Sequence, residues 1–426
     1  MRATASTRAL VVALVVVLLT LGGALPTTAA SRATTAPSPV TGVDVHEDDQ
    51  PPADLPDLSP GLHSDELTSS EETWRAYRIR RTQPGSTLHV SMTVRPPIPD
   101  ETSAERLDLT VLAPDGTECV SESESSSHGQ HNGVTTFMTV TGRLVGEDPE
   151  EDSDEQSCTA TGDFTVLVQR EGEATTLPTE LQVIDEPKVA GLAGLPEAVE
   201  DYPEEVDLPQ GEETPVSGGD SFTDAAEITE GTWSDTLEPG DTRVYRVRVE
   251  DGQTARFTTH GPTGGFRYPT GGSSALWVDG RAYAPDRQLL GSGTGSVGRF
   301  SASSKNPSSV TAAPVRFTNR FAGSSPSNLT ASSIGGWHYY TVGVGTEDLG
   351  EDLAGEEITV AFTVQVEGAP STDVEYDAPE GGDGAPASGD SEESRLTPLL
   401  LWGGLGLAGI LVLTVMGYLV ARLLRA

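Results

Sequence analysis

His128 and His131 stand three residues apart in Ser127-His128-Gly129-Gln130-His131-Asn132, a spacing at which two imidazoles can share a zinc or copper ion. A metal centre needs further ligands, and no third one lies nearby in sequence. A solvated Ser/Gly loop is therefore the preferred reading. Glu147 to Glu155 holds seven acids in nine residues. Carboxylates at that density can gather calcium, but the run lacks the alternate Asp/Asn and Gly spacing of a calcium loop, and a like-charge block is explained equally well by exposure. No cofactor is assigned, calcium being the one candidate. Arg78 and Arg80, like Arg246 and Arg248, alternate with Tyr77, Ile79, Tyr245 and Val247. That pattern predicts an outward basic ladder on one strand in each half of the chain. It is either a face for an anionic ligand, such as teichoic acid or an acidic partner, or a set of cross-strand pairs with nearby carboxylates. The second reading is preferred, since such surface pairs are common.

No hydrolase, metalloprotease, phosphate-cradling or dinucleotide motif occurs: there is no Gly-x-Ser-x-Gly, His-Glu-x-x-His, Gly-x-x-x-x-Gly-Lys or helix-opening Gly-x-Gly-x-x-Gly. A Ser/His/Asp set can still assemble from distant loops, so an extracytoplasmic hydrolase stays as the remotest alternative. The expectation is a chain that is not an enzyme.

What would position such residues is set by composition and by the two ends. The chain has 426 residues, a formal net charge of −39 and a hydrophobic fraction of 35%. The length suits two or three domains, and the low hydrophobic fraction requires linkers. The charge repels phosphates, so nucleic acid is excluded as partner. Arg2 and Arg8 before the apolar run Ala9 to Leu21, with Thr28-Ala29-Ala30 after it, predict a signal peptide over residues 1–30. Residues 396–421 carry no charge and are followed by Arg422 and Arg425. They predict a single membrane-crossing helix with a short cytoplasmic tail, 422–426, and everything upstream outside the cell. Gly403, Gly406 and Gly409 recur every three residues in that helix, a stripe that lets a partner helix approach, although glycine is common in membrane helices in any case. Cys119 and Cys158 are the only cysteines. In an exported protein they read as one disulfide.

Residues 31–58, 187–215 and 370–395 are rich in Pro and acids and read as a disordered segment, a linker and a stalk. Between them lie two comparable segments, 59–186 and 216–369. Trp74-Arg75-Ala76-Tyr77-Arg78-Ile79-Arg80 matches Thr242-Arg243-Val244-Tyr245-Arg246-Val247-Arg248, and Ala113-Pro114-Asp115-Gly116 matches Ala284-Pro285-Asp286-Arg287. Gly162-Asp163-Phe164 matches the start of Gly336 to Val342, and Leu181-Gln182-Val183 matches Val364-Gln365-Val366. The order is kept, which predicts an internal repeat. The period inside the matches is two. Leu88, Val90, Met92 and Val94 face one way and His89, Ser91 and Thr93 the other, as do Ile358, Val360, Phe362, Val364 and Val366 against Thr359 and Thr363. The expected class is all-β, two tandem antiparallel β-sandwiches of jelly-roll-like type. The insertion Gly261 to Ser333 carries Phe266, Tyr268, Trp277 and Tyr283, either a stacking surface for sugars or a partner, or satellite core under a long loop.

Ser221-Phe222-Thr223-Asp224-Ala225-Ala226-Glu227-Ile228, then Gly231-Thr232-Trp233, Leu237-Glu238-Pro239-Gly240-Asp241 and Tyr245, resembles the bacterial pre-peptidase C-terminal domain. In the first half, Leu107 to Gly116 and Gly162 to Val166 resemble its central and late strands. The resemblance covers roughly residues 64–185 and 217–368 and implies small β-sandwiches appended to exported enzymes, serving binding or secretion. No protease domain accompanies them in this chain, and Ser274 to Val278 replaces the usual Asp-Leu-Asp strand in the second copy. The function expected is a membrane-anchored surface protein that binds an envelope polymer or an exported protein, with an accessory subunit of a membrane complex as the alternative.

Overall fold

The computed structural model describes residues 36–46, 49–97, 104–127, 133–146, 156–268, 275–291, 296–301, 305–322, 329–345 and 356–377. The expected signal peptide, the expected membrane helix with Gly403, Gly406 and Gly409, the expected cytoplasmic tail, His128, His131 and the Glu147–Glu155 run lie outside the described residues. Among the described residues no helix is long and apolar enough to cross a membrane.

The period-two alternation is realised as strands in four sheets. Sheet I contains β1 (Ser38–Pro39), β3 (Gly61–Thr68), β5 (Thr87–Val94), β8 (Met138–Leu144) and β10 (Thr176–Glu186), in the order β1-β3-β10-β5-β8. Sheet II contains β2 (Val43–His46), β4 (Thr73–Arg81), β6 (Ala104–Leu112), β7 (Glu118–Ser127) and β9 (Gly162–Glu171), in the order β2-β4-β9-β6-β7. In the second half, sheet III has β11 (Glu213–Pro215), β13 (Gly231–Leu237), β15 (Thr254–Pro262), β19 (Ser308–Thr311) and β21 (Ile358–Glu367), ordered β11-β13-β21-β15-β19. Sheet IV has β12 (Ala226–Glu227), β14 (Thr242–Val249), β16 (Leu276–Tyr283), β17 (Ser296–Phe300), β18 (Lys305–Asn306) and β20 (Gly336–Val344), ordered β12-β14-β20-β16-β17-β18. Apart from β18 and the edge strands β2 (antiparallel to β4) and β12 (parallel to β14), the second pair of sheets repeats the first strand for strand, so the repeat read from sequence is a repeat of topology. One match shifts. Leu88 pairs with Asp185 and Ala255 with Val366, which places Val183 on Val364 rather than Val366. A slip of two preserves the alternation, which is why the pattern alone did not fix it.

Each pair of sheets closes on one core. Leu88, Val90, Met92 and Val94 meet Leu107, Leu109, Val111, Phe164 and Val166 in the first; Phe257, Tyr245, Tyr340, Phe362 and Val364 meet in the second. Each such side chain contributes roughly 1.5–3 kcal/mol by leaving water. Both sandwiches carry the same polar lock. Asp65 Oδ2 accepts from the Tyr77 hydroxyl (2.7 Å) and the Gly42 N–H (2.9 Å). Asp235 Oδ2 accepts from the Tyr245 hydroxyl (2.7 Å) and the Gly218 N–H (2.8 Å). A Cβ on Gly42 would lie 2.7 Å from the Tyr77 ring, and one on Gly218 would lie 2.8 Å from the Tyr245 ring, so both positions require glycine. Burial, then the neighbouring aspartate, pushes both phenols up, so each stays a donor.

The described parts of the three segments expected to lack structure, residues 36–46, 49–58, 187–215 and 370–377, lie against the sandwiches. Residues 38–39 and 43–46 join sheets I and II, and Leu55 and Leu58 are buried. Asp57 bridges Arg78 in parallel as Ala226 and Glu227 pair with Tyr245 and Arg246, so the first sandwich begins well before residue 59. The linker runs over sheet III: the Leu208 N–H donates to Thr258 Oγ1 (3.0 Å), the Gly211 N–H to Thr232 Oγ1 (2.8 Å) and Ser309 Oγ to Asp207 (2.8 Å). Val189 pairs with Tyr376, at the root of the expected stalk. Low hydrophobicity predicts that these segments build no core of their own; they are held by another module's surface. The Cys119–Cys158 disulfide is present, tying β7 to a single helical turn, Gln156–Thr159.

Tyr245→Phe should destabilise the protein by about 1.5–3 kcal/mol in urea unfolding, because a bond to a carboxylate is lost. A loss below about 0.5 kcal/mol would refute the lock. Cys119→Ser should cost about 2–5 kcal/mol, and reductant should reproduce that loss in the native protein.

Candidate functional site: the contact between the two sandwiches

All eight residues of β5 are buried, although only alternate ones enter the core of the first sandwich. His89, Ser91 and Thr93 do face away from that core, as expected, but they face the second sandwich and not water. The turn Ala284-Pro285-Asp286-Arg287 docks there. His89 Nδ1 lies 2.9 Å from Asp286 Oδ2 and His89 Nε2 lies 3.0 Å from Glu186 Oε2. The ring thus stands between two carboxylates, and the Arg143 Nε–H lies 3.3 Å from its Nδ1. Arg143 donates to Asp286 Oδ2 (3.0 Å) and Gln288 Oε1 (3.1 Å). Arg320, from the 3₁₀ turn Phe317–Phe321, donates to Glu186 Oε1 (2.8 Å). The Tyr376 hydroxyl donates to the same Glu186 oxygen at 3.0 Å. Thr139 and Thr141 add bonds to the backbone oxygens of Arg287 (2.9 Å) and Asp286 (3.0 Å).

Burial raises the Glu186 carboxyl, but the Arg320 charge and the His89 bond outweigh it and hold the group well below the usual carboxylate range. Asp286 is likewise raised by burial and brought far down by the His89 bond and the Arg143 charge. Asp251 stands close by without such compensation: burial, with the Glu186 and Glu250 charges, pushes it up to about 6. Beside the charged hub, Phe222 packs on Phe137 (4.9 Å), Tyr283 (5.1 Å) and Tyr339 (5.2 Å). The Arg287 guanidinium lies 4.4 Å from the Phe222 ring and 4.0 Å from the Tyr339 ring. Arg287 has φ 69°, the left-handed region that its counterpart Gly116 (φ 88°) occupies freely. An arginine held there costs of order 1 kcal/mol, which its two stacked rings offset.

The sequence-expected site residues fall elsewhere. Arg78 pairs with Asp57 and Arg80 with Asp163; Arg246 pairs with Glu227 at 3.7 Å and Arg248 with Glu250 at 2.6 Å. Each ladder arginine thus has a carboxylate, and Arg246 and Arg248 also flank the Trp337 ring at 4.6 and 5.8 Å. In the insertion, Phe266 and Tyr268 contact each other edge-on (5.1 Å) and pack on the second core, while Tyr283 joins the inter-sandwich cluster. Trp277 lies under Arg299 at 5.4 Å. Among the described residues no group of three or more His, Cys, Asp or Glu is placed to hold a metal ion. His89, Glu186, Asp286 and Arg320 were not singled out as a set. The signals in sequence were a polar stripe on β5 and an arginine where the repeat has glycine.

No family model matches the chain, and no curated protein sequence matches it. Among solved structures, Xylanase10C from Cellvibrio japonicus in complex with xylopentaose is similar at 17% identity and TM-score 0.23, covering 44% of this chain and 34% of its own. The chain thus spans about a third of that xylanase's length. The xylan-binding module CBM15 is similar at 14% identity and TM-score 0.18, over 34% of this chain and 99% of that one. The tandem CBM22-1-CBM22-2 domain of Paenibacillus barcinonensis Xyn10C gives 11% and 0.18, over 79% and 100%. Likeness at this level carries no argument about what the chain binds.

Asp286→Ala should cost about 3–5 kcal/mol, since it leaves Arg143 and His89 buried without their carboxylate; calorimetry that shows the native profile unchanged would refute the bridge. Asp251 titrates the other way from its neighbours. At about 6 in the folded protein it lies above the ordinary aspartate value of 3.8, so the folded state binds the proton more tightly. Its contribution is full below pH ~4, falls as pH rises to about 6 and is flat beyond. Asp251→Asn should remove that slope and raise stability at pH 7–8 by about 1–2 kcal/mol. A variant with an unaltered pH profile between 4 and 6 would show that another group is responsible.

Proposed function

We propose that the chain is a non-enzymatic, membrane-anchored surface protein whose two β-sandwiches form one block that binds an envelope polymer or another exported protein. The observation that carries this reading is the Glu186 bridge. One carboxylate takes bonds from His89 in the first sandwich, Arg320 in the second and Tyr376 at the root of the acidic stretch. Such a contact joins two binding modules to each other and to their stalk, which suits display above a membrane. The uncharged stretch 396–421 ending in Arg422 and Arg425 supports the anchor, and the apolar run after Arg8 supports export. The strand orders β3-β10-β5-β8 and β4-β9-β6-β7 in the first half, and β13-β21-β15-β19 and β14-β20-β16-β17 in the second, support a jelly roll in each. They sit well with the resemblance to pre-peptidase C-terminal domains.

Two measurements on the full chain test the reading. Protease added to intact cells should release a fragment spanning residues 36–377, and protection of that region would remove the surface placement. Co-sedimentation with isolated cell walls, together with in-cell cross-linking to exported proteins, should capture a binding partner. Failure of both captures would sink the binding reading.

A further inference from the structure

Because the halves repeat, each face of one sandwich has a counterpart on the other. The outer face of sheet I, which receives the Asp286 turn, corresponds to the outer face of sheet III. The strand pairings place His89 on Arg256, Ser91 on Thr258, Gln182 on Thr363 and Glu186 on Glu367. Across the next strand, Thr141 corresponds to Ser309 and Arg143 to Thr311. The chemistry is kept in part, although Thr311 lacks the charge of Arg143. Arg256 pairs with Glu367 at 3.2 Å as His89 pairs with Glu186 at 3.0 Å, and hydroxyls line both faces. The docking turn also has a counterpart: Asp115 occupies the place of Asp286, on an exposed turn.

On sheet I the face is filled by the next copy's turn. On sheet III it is filled by the strap, residues 196–213, whose 207–213 part lies on the sheet while Arg316 donates to the Glu197 backbone and the Val199 N–H to Asn319. Thr141 Oγ1 donates to the Asp286 backbone, and the corresponding Ser309 hydroxyl donates to Asp207 of the strap at 2.8 Å. Thr258, the counterpart of Ser91, takes the Leu208 N–H. We propose that the outer face of sheet III is a docking face for the Asp115 turn of a second copy of this chain, and that the strap is a displaceable cap standing in for it. The occupant follows from the contact inside the chain, where a homologous face already holds the homologous turn. This inference does not depend on which ligand the sandwiches bind.

The strap is suited to release. Against the sheet it is held by bonds to hydroxyls and by Leu208, and a cleft of about 400 Å³ separates its Gly211–Glu212 part from Thr363 and Gln365. Asp207, Glu212 and Glu213 make it acidic, as the incoming turn is. Contact of an Asp115 turn with sheet III uses different surfaces on the two molecules, so it propagates into a row and does not close as a symmetric dimer. The net charge of −39 opposes association, so salt should favour it.

The full chain in detergent, studied by sedimentation velocity at about 0.15 M and about 0.5 M salt, tests this. Replacing residues 197–211 by a Gly/Ser segment of equal length should produce dimers and longer species, with association tightened about tenfold or more over the native chain. Adding Asp115→Arg to that variant should restore the native profile. A strap-free chain that sediments as the native one, or oligomers indifferent to Asp115→Arg, would overturn the proposal; so would capture of a wall polymer at sheet III that Asp115→Arg leaves intact. Should the strap-free variant not fold, a photo-crosslinker at the exposed Thr117 of the otherwise native chain decides the matter. Adducts to β15 or β19 of a second chain support the docking face, and adducts only elsewhere, or none, overturn it.

Discussion

Taking the Glu186 and Asp286 carboxylates out of water costs several kcal/mol each unless cations and donors replace the solvent. Neither sandwich supplies that replacement alone. Glu186 lies on β10 beside His89, yet its other partners, Arg320 and Tyr376, come from beyond the first sandwich. Asp286 belongs to the second sandwich, yet His89 and Arg143 come from the first. Were the sandwiches apart, these groups would stand on open surfaces with water at no penalty. The network therefore adds little net stability to either half, while penalising every arrangement that buries it with different partners. Its effect is to single out one orientation of two otherwise similar modules.

The two copies have diverged where they touch and have been kept where they close on themselves. The Gly–Asp–Tyr lock is the same in both, with matching distances, because it pins the chain where it crosses between the sheets of a sandwich. At the contact the equivalent positions differ. Gly116 corresponds to Arg287, and His89 corresponds to Arg256. Asp163, which pairs with Arg80, corresponds to Trp337, which lies beneath two arginines. A duplicated fold presents the same faces twice. Only substitutions of this kind let one pair of faces meet while the others take straps.

Alternation in Leu88 to Val94 and Ile358 to Val366 made the sandwiches legible, since a strand with one buried face leaves a period of two in any context. It told which way His89 points but not what covers it, because cover is supplied by residues almost two hundred positions away. The straps failed to read as structure for a related reason. Residues 196–213 have too few apolar groups to form a core and instead lend backbone N–H groups to hydroxyls of sheet III, which leaves no periodic trace. The signal that did exist was positional. Asp57-Leu58 precedes the first ladder strand as Glu227-Ile228 precedes the second, with both aliphatic residues buried and both acids facing the equivalent arginines.

The hub also lies where the chain enters and leaves the second sandwich. Ala190 donates to the Glu375 backbone and Asp377 to that of Lys188, so the two segments run side by side next to Glu186. If residues 370–395 carry the block above a membrane as proposed, any pull on them meets this short pairing and the Tyr376 bond before it reaches β21. Strand β21 sits between β13 and β15 in the middle of sheet III, and peeling it would open the second core. Placing the exit beside the linker sends load instead into the contact between the sandwiches. There the resisting groups are buried ion pairs, whose strength water and salt reduce least. The same few residues set the relative orientation of the modules and, under the proposed anchoring, would shield their cores from the tether.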